Sequence, residues 1–195
     1  MTIQAAYFDG TATKEMIDYY AHRSGEAGAI IVESSFVEDK GRGFAGALGN
    51  NKDSQVKELR KLANAIKEKG SKAILQIYHA GRMAAPELNG GAAPISASPV
   101  AALRPEAVTP RQMMPVDIDK MIHNFADATR RAIEAGFDGV EIHGANTYLI
   151  QQFYSPHSNR REDKWGGSRE ARAKFPEAVM KAVQEEAMKQ QAANF

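Results

Sequence analysis

The sequence predicts an α/β protein whose helices pack outside a parallel sheet. Three features indicate this: amphipathic helices alternate with short strands, the strands are continuously apolar, and helices end at a glycine shortly before a strand begins. Two arrangements fit this alternation, an open doubly wound sheet and a (β/α)8 barrel. Residues 41–46 have the spacing Gly-x-Gly-x-x-Gly, but they lie in a loop and do not lead directly from a predicted strand into a predicted helix, which weakens the case for the dinucleotide-binding open sheet. A barrel normally needs about 250 residues and eight strand–helix units, so this chain would form only part of one.

The first half of the chain contains two predicted helices and two predicted strands. Residues 13–23 are predicted to form a helix, with Thr13 as its N-cap and a glycine just beyond its end. Residues 29–33 are a β-branched apolar run, which predicts a buried strand. A second helix is expected over residues 54–69, where apolar residues share one face, and a second strand over Lys72–Tyr78.

The second half begins with a long connection over residues 81–116, which holds six of the chain's eight prolines. A connection of this length is typically functional or partly disordered, and an insertion is expected at about 82–116. A third helix is predicted over residues 117–134 and a third strand over 139–143. The fourth helix is expected over residues 168–189, divided into two pieces by Pro176. Residues 1–195 are assigned to a single domain.

Composition narrows the classes of function. The chain has 195 residues, a net charge of +1 and no cysteine. The missing thiols exclude disulfides, thiolate nucleophiles and cysteine-bound metal clusters, and the histidine spacing gives no reason to expect a metal site. The balanced charge gives no reason to expect nucleic acid or an anionic membrane as a partner. With no secretory signal and no apolar run near the roughly 20 residues that span a bilayer, a cytoplasmic protein is expected.

Candidate functional residues follow the predicted strands. In parallel α/β folds the working side chains lie just past the carboxyl ends of the strands. His143, Asn146 and Tyr148 come directly after the third strand and supply an imidazole, a carboxamide and a phenol. The imidazole and carboxamide can donate hydrogen bonds to one oxygen, and the phenol can act as an acid. The alternative is that His143 and Asn146 only fix the loop.

Two further polar residues belong to the second strand and its end. Gln76 lies within an apolar strand, where a buried amide needs hydrogen-bond partners, and a satisfied core glutamine is the simpler interpretation. His79 either faces a ligand or has a structural role at the edge of the sheet. The charged segment over residues 160–164 is typical of a solvated loop, and the glycines before Ser168 predict a turn into a helix cap.

Three segments resemble the old yellow enzyme family. Residues 136–153 read GFDGVEIHGANTYLIQQF, residues 155–161 continue as SPHSNRR with WGGS at 165–168, and residues 76–82 read QIYHAGR. The similarity extends along nearly the whole chain, and the long segment is highly specific. Within this family, the segments most resemble the bacterial NADH-dependent flavin oxidoreductases.

The resemblance implies a (β/α)8 barrel with FMN at the carboxyl rim, of which this chain covers roughly strands 2–4 and helices 1–4. It implies that Gln76 binds the pyrimidine edge of the flavin, that Ser34 lies beside the ring and that Thr2 lies near the flavin O4. His143, beside the flavin, and Asn146 would bind the carbonyl oxygen of an α,β-unsaturated substrate, and Tyr148 would protonate its α-carbon. NADH or NADPH would supply the hydride that reduces the C=C bond.

The resemblance also implies elements beyond this sequence. The family's first barrel strand would precede Thr2, and strands five to eight would follow Phe195, so a truncated form is expected. The unpaired sheet edges of a part-barrel favour self-association. Two other functions stay open: a non-catalytic barrel fragment, and a flavoenzyme resembling dienoyl-CoA reductase.

Overall fold

A computed structural model of the chain describes residues 2–193. The helices, in chain order, are α1 (Lys14–Arg23), α2 (Val56–Lys67), α3 (Pro115–Glu134), α4 (Leu149–Tyr154) and α5 (Arg169–Ala193). The strands are β1 (Ala29–Phe36), β2 (Lys72–Tyr78), β3 (Ile95–Ser96), β4 (Arg111–Gln112) and β5 (Gly139–Ile142). The predicted alternation is confirmed, and the chain is an α/β protein.

The central sheet consists of three parallel strands in the order β1-β2-β5. β2 occupies the predicted residues, while β1 continues past the predicted end at residue 33 to Phe36. The register pairs Leu75 with Val32 on one side and with Val140 on the other. Because the strands are parallel, their carboxyl ends lie at one edge of the sheet, which is the edge that carries the candidate site residues.

Helices cover one face of the sheet, and side chains alternate between the two faces along each strand. Val32, Leu75 and Ile77 are fully buried and belong to one apolar core, to which α1, α2, α3 and α5 contribute. The opposite side, here called the open face, carries Ile31, Ile74, Gln76 and Glu141. Ile31 is 49% exposed. Within residues 2–193 this one-sided packing favours a barrel arrangement over a doubly wound sheet, which has helices on both sides.

The long connection between β2 and α3 has regular structure of its own. It contains two 3₁₀ turns, Gly81–Met83 and Pro86–Leu88, and the short parallel pair of β3 and β4. Arg82 is buried in this region, and its Nη1 donates to the carbonyl oxygens of Val100 and Ala101. The expected insertion is thus folded against the rest of the chain.

Arg161 also holds this connection in place, and the prediction of a solvated loop over residues 160–164 is wrong for this residue. Arg161 is 4% exposed, and its Nη1 donates to the carbonyl oxygens of Ala97 at 2.9 Å and Met113 at 2.7 Å. Asp163 accepts from its Nη2 at 2.6 Å. A run of charged residues predicts a solvated loop on average, but it does not show which single member turns inward to bind carbonyl groups.

One prediction about the helices is confirmed, and one is wrong. Thr13 Oγ1 accepts from the backbone N–H of Met16 at 3.2 Å, as predicted for an N-cap. Pro176 does not divide the fourth predicted helix, because α5 runs without a break through it. Phe175 beside it is fully buried, with its ring centroid 4.1 Å from that of Phe153. No helix within residues 2–193 is long and apolar enough to cross a membrane.

Candidate active site

His143 and Tyr148 lie side by side at the carboxyl edge of the sheet. Their ring centroids are 4.8 Å apart in an edge-to-face arrangement, and the ring of Tyr78, at the end of β2, lies 5.0 Å from that of Tyr148. The backbone N–H of His143 donates to Ile77 O at 3.0 Å, which continues the β2–β5 pairing as far as the imidazole. The structure thus brings together groups from two neighbouring strand ends, as the sequence predicts.

Burial sets the protonation of these two side chains. It lowers the pKa of the half-buried His143, against a smaller opposing effect from Glu141, and it raises the pKa of the Tyr148 phenol. The imidazole is therefore neutral and the phenol protonated near pH 7. The backbone N–H of Ala145 donates to His143 Nδ1 at 3.3 Å, so Nε2 carries the proton and is the hydrogen-bond donor. Two neutral donors therefore stand next to each other.

The turn between them has unusual backbone geometry. Asn146 and Thr147 have φ values of 53° and 60°, in the left-handed region that a β-branched residue such as Thr rarely adopts. Gln151 Oε1 accepts from the backbone N–H of Thr147, and Gln152 Nε2 donates to its carbonyl oxygen. The turn is thus fixed at Thr147, while Asn146 lies in an exposed position.

Gln76, Ser34 and Thr2 lie at the same edge on the first two strands and the N-terminal segment. Gln76 is half-buried on the open face, and its Nε2 donates to Glu141 Oε1, so its amide has the partner that the sequence requires. Ser34 is buried, and its Oγ lies 2.9 Å from Thr2 Oγ1. The hydroxyl of Ser35 donates to Gln76 O at 2.8 Å and ties the two strands together.

The chain matches the NADH:flavin oxidoreductase / NADH oxidase family over residues 1–193. It belongs to this family. Two similar relatives are the NADH:acrylate oxidoreductase of Vibrio harveyi and the NADH:fumarate oxidoreductase of Klebsiella pneumoniae (strain 342), 71% and 57% identical over 180 residues. Each alignment covers 92% of this chain but only 18% and 20% of the respective relative.

Solved structures agree with this family assignment. The old yellow enzyme homologue from Zymomonas mobilis superposes with a TM-score of 0.87 at 32% identity, over 94% of this chain and 53% of that protein. The resemblance to old yellow enzymes is confirmed, and so is the predicted dependence of the family on flavin and a nicotinamide donor. The chain spans about half the length of this neighbour and about a fifth of the two reductases.

Glu33, at the predicted end of the first strand, is a polar residue of the site to which sequence reasoning gives no role of its own. Only 2% of it is exposed, and its Oε2 accepts from the backbone N–H of Ile3 at 2.7 Å, which holds the segment that carries Thr2 beside β1. Burial raises the pKa of Glu33, and its Oε1 has no partner among the described residues. A charged residue inside an apolar strand was the available signal, since burying a carboxylate is costly unless a partner compensates.

Gln152 on α4 is a residue of the site that sequence reasoning missed, and it fixes the turn of the site. It is 1% exposed; its Oε1 accepts from Arg82 N at 3.0 Å and from Ser96 Oγ at 2.8 Å, and its Nε2 donates to Ala80 O at 3.0 Å and to Thr147 O. One amide thus joins three segments of the chain. Gly81 lies so close that a Cβ there would overlap this amide.

His79 has the structural role that was one of its two predicted interpretations. It is 1% exposed, and its Nδ1 accepts from the backbone N–H of Gly81 at 2.9 Å, so Nε2 faces Glu38 Oε2 at 3.3 Å. Lys120 on α3 donates to the other oxygen of Glu38. The hydrogen bond from His79, together with Lys120, lowers the pKa of Glu38 to about 2. This ionised carboxylate joins the ends of β1 and β2 to α3.

The side chains at this edge fit the pyrimidine part of a flavin. That ring presents carbonyl oxygens around an N–H group, so it needs both donors and acceptors. The Gln76 carboxamide offers both, and the hydroxyls of Ser34 and Thr2 lie at the same edge. The described residues include no cluster of His, Cys, Asp or Glu placed to hold a metal ion.

Proposed function

We propose that the chain forms part of an FMN-dependent enzyme that uses NADH or NADPH to reduce the C=C bond of α,β-unsaturated carbonyl compounds. The observation that carries the proposal is the contact between a neutral imidazole and a protonated phenol, His143 and Tyr148, at the carboxyl edge of a parallel sheet. Acrylate and fumarate, in the names of two relatives, have such a C=C bond next to a carboxylate. Unsaturated acids therefore join enones as candidate substrates.

Each side chain has a distinct role in this proposal. FMN, when bound, supplies the transfer of hydride from the nicotinamide to the alkene. His143, through Nε2–H, and Asn146, through its carboxamide, donate hydrogen bonds to the substrate carbonyl oxygen, where negative charge develops. Tyr148 donates its phenolic proton to the α-carbon. Gln76, Ser34 and Thr2 bind the flavin.

We also propose that β1, β2 and β5 are three neighbouring strands of a (β/α)8 barrel whose interior is the open face. The one-sided helix packing and the exposure of Ile31 support this placement. In the barrel, Gln76 and Glu141 would face the interior, and the strand ends would form part of the rim that holds FMN. The long connection over residues 81–116 would lie beside this rim.

Flavin content and turnover test the proposed function. The chain is purified, incubated with FMN and separated from free flavin, and the flavin absorbance is compared with the protein concentration. NADH oxidation is then followed with acrylate, fumarate or an enone as acceptor. Stoichiometric flavin and acceptor-dependent oxidation are the expected results. Protein that stays colourless contradicts a working flavin site in this chain and supports a non-catalytic fragment, whereas turnover restricted to unsaturated thioesters supports an enzyme resembling dienoyl-CoA reductase.

A further inference from the structure

Gln76 and Glu141 form a hydrogen-bonded pair on the open face. They lie directly opposite each other on β2 and β5, and Gln76 Nε2 donates to Glu141 Oε1. An ionised carboxylate can only accept hydrogen bonds. The amide nitrogen of Gln76 must therefore face Glu141, and its carbonyl oxygen must point the other way. This orientation follows from the chemistry of the two groups.

The main chain of Gln76 is held in place. The hydroxyl of Ser35 donates to Gln76 O at 2.8 Å, and the strand pairing continues on both sides, with Leu75 opposite Val140 and Ile77 opposite Ile142. With the backbone fixed, the side-chain torsions of Gln76, including the rotation of its amide group, decide what it presents to a ligand. A lone glutamine would present the two orientations with similar ease, because its amide oxygen and nitrogen differ little in size.

We propose that Glu141 is a positioning residue that holds Gln76 with its carbonyl oxygen towards the flavin. This inference rests on the proposed function and adds to it which end of the Gln76 amide faces the flavin. With one Nε2 hydrogen bound to Glu141, Gln76 offers an acceptor beside a single remaining donor. This acceptor and this donor of Gln76 match an N–H group next to a carbonyl oxygen, which is the arrangement at the imide edge of the isoalloxazine pyrimidine ring. Glu141 itself does not touch the ligand.

Binding of FMN and of N3-methyl-FMN tests this orientation of the amide. The methyl group replaces the N3 hydrogen, and with it the hydrogen bond that the Gln76 carbonyl oxygen would accept. Dissociation constants come from titrations followed by flavin fluorescence. The wild type should prefer FMN by about threefold to tenfold, the effect of one neutral hydrogen bond. In Glu141→Lys, the ammonium group can only donate, so the Gln76 carbonyl turns towards it and the preference should disappear.

Two further variants separate orientation from general damage to the sheet. Glu141→Gln keeps the shape and an acceptor oxygen, and it should retain FMN affinity better than Glu141→Lys. Asp138→Asn is the matched control, because Asp138 also joins β2 and β5, through Ala73 N at 2.9 Å, but at the opposite end of the strands. It should leave the preference unchanged. An equal preference for FMN in the wild type and in Glu141→Lys contradicts the inference.

Nuclear magnetic resonance of the chain without flavin keeps the inference separate from the proposed function. The two protons of a primary amide differ in shift in every glutamine, because rotation about the C–N bond is slow. The Gln76 Nε2 proton that is bound to Glu141 should therefore be identified by a clear downfield shift in the wild type relative to Glu141→Ala, with Gln76→Leu used for assignment. This downfield shift in a chain that binds no FMN supports the orientation and contradicts the proposed function. An equal position of this proton in the wild type and in Glu141→Ala contradicts the orientation itself, whatever the flavin content.

Discussion

At the scale of single residues, burial gives His143 and Tyr148 complementary properties. The same desolvation lowers the pKa of the imidazole and raises that of the phenol, so both groups are neutral near pH 7. The contact of Ala145 N with His143 Nδ1 then directs the remaining N–H outward. A turn of six residues thus supplies two donors without a charged group.

The two donors should not contribute equally to turnover. In the flavin-loaded enzyme, His143→Ala should lower kcat/KM by about 100-fold or more, because a preorganised donor to a developing oxyanion contributes about 3–4 kcal/mol. Tyr148→Phe should lower it less, since solvent can supply the proton. Rates of enone reduction with both variants measure this ranking. A larger loss in Tyr148→Phe would show that the phenol, and not the imidazole, dominates.

Gln152 should be essential for the shape of the site turn. Gln152→Met removes four hydrogen bonds and leaves buried partners unsatisfied, which should lower the free energy of unfolding by at least about 2 kcal/mol. Amide hydrogen exchange over residues 143–149 should rise well above the wild-type rate. Asn50→Leu is the control: Asn50 is also fully buried, but it donates to Ala128 O on α3. Equal exchange of the turn in both variants would contradict a specific role for Gln152.

At the scale of elements, the sequence predicts best what depends on local patterns. α1, with its Thr13 cap, and β2 follow from propensity and periodicity, and both are found where the sequence puts them. The errors arise where tertiary packing decides. α4 has only six residues and no periodicity to reveal it, and α5 continues through Pro176 because Phe175 and its neighbours are held in the core.

The residues of the candidate site also differ in how well the sequence predicts them. His143 and Tyr148 are predictable as candidates because reactive side chains follow strands in parallel α/β folds, and the family resemblance adds Gln76, Ser34 and Thr2. Glu33 and Gln152, the residues that hold the site together, are not predictable in this way. Their roles depend on contacts between segments distant in sequence, such as Gln152 with Arg82, which no local pattern encodes.

The Glu38 carboxylate joins three elements and should make their packing depend on pH. Its pKa is about 2 in the folded chain, held low by His79 and Lys120, against an ordinary value of 4.5. A lowered pKa stabilises the folded state above pH 4.5, and this stabilisation is lost as the pH falls towards 2. The free energy of unfolding should therefore fall more steeply between these values in the wild type than in Glu38→Gln. Other carboxylates titrate in both proteins, so parallel curves would show that Glu38 contributes nothing.

At the scale of the whole molecule, the two faces of the sheet differ in what covers them. One face is sealed by helices, and the other exposes Ile31 beside the polar pair of Gln76 and Glu141. A single apolar residue on an exposed face is ordinary. In a barrel, however, this face would be the interior, and the same side chains would have to satisfy packing and ligand binding together. Solvent exposure of the open face is therefore the property that distinguishes the described chain from a closed barrel.

Ile31 and Val32 provide a matched pair for measuring that property, because they are adjacent in β1 and point to opposite faces. Val32→Ala should lower the free energy of unfolding by about 2 kcal/mol, since it removes fully buried methyl groups and leaves a cavity. Ile31→Ala removes a larger group but should cost less than about 1 kcal/mol, because the side chain is 49% exposed. Chemical denaturation of both variants, repeated at several protein concentrations, gives the comparison. If Ile31→Ala costs as much as Val32→Ala and the cost grows with concentration, a second copy of the chain covers the open face in solution.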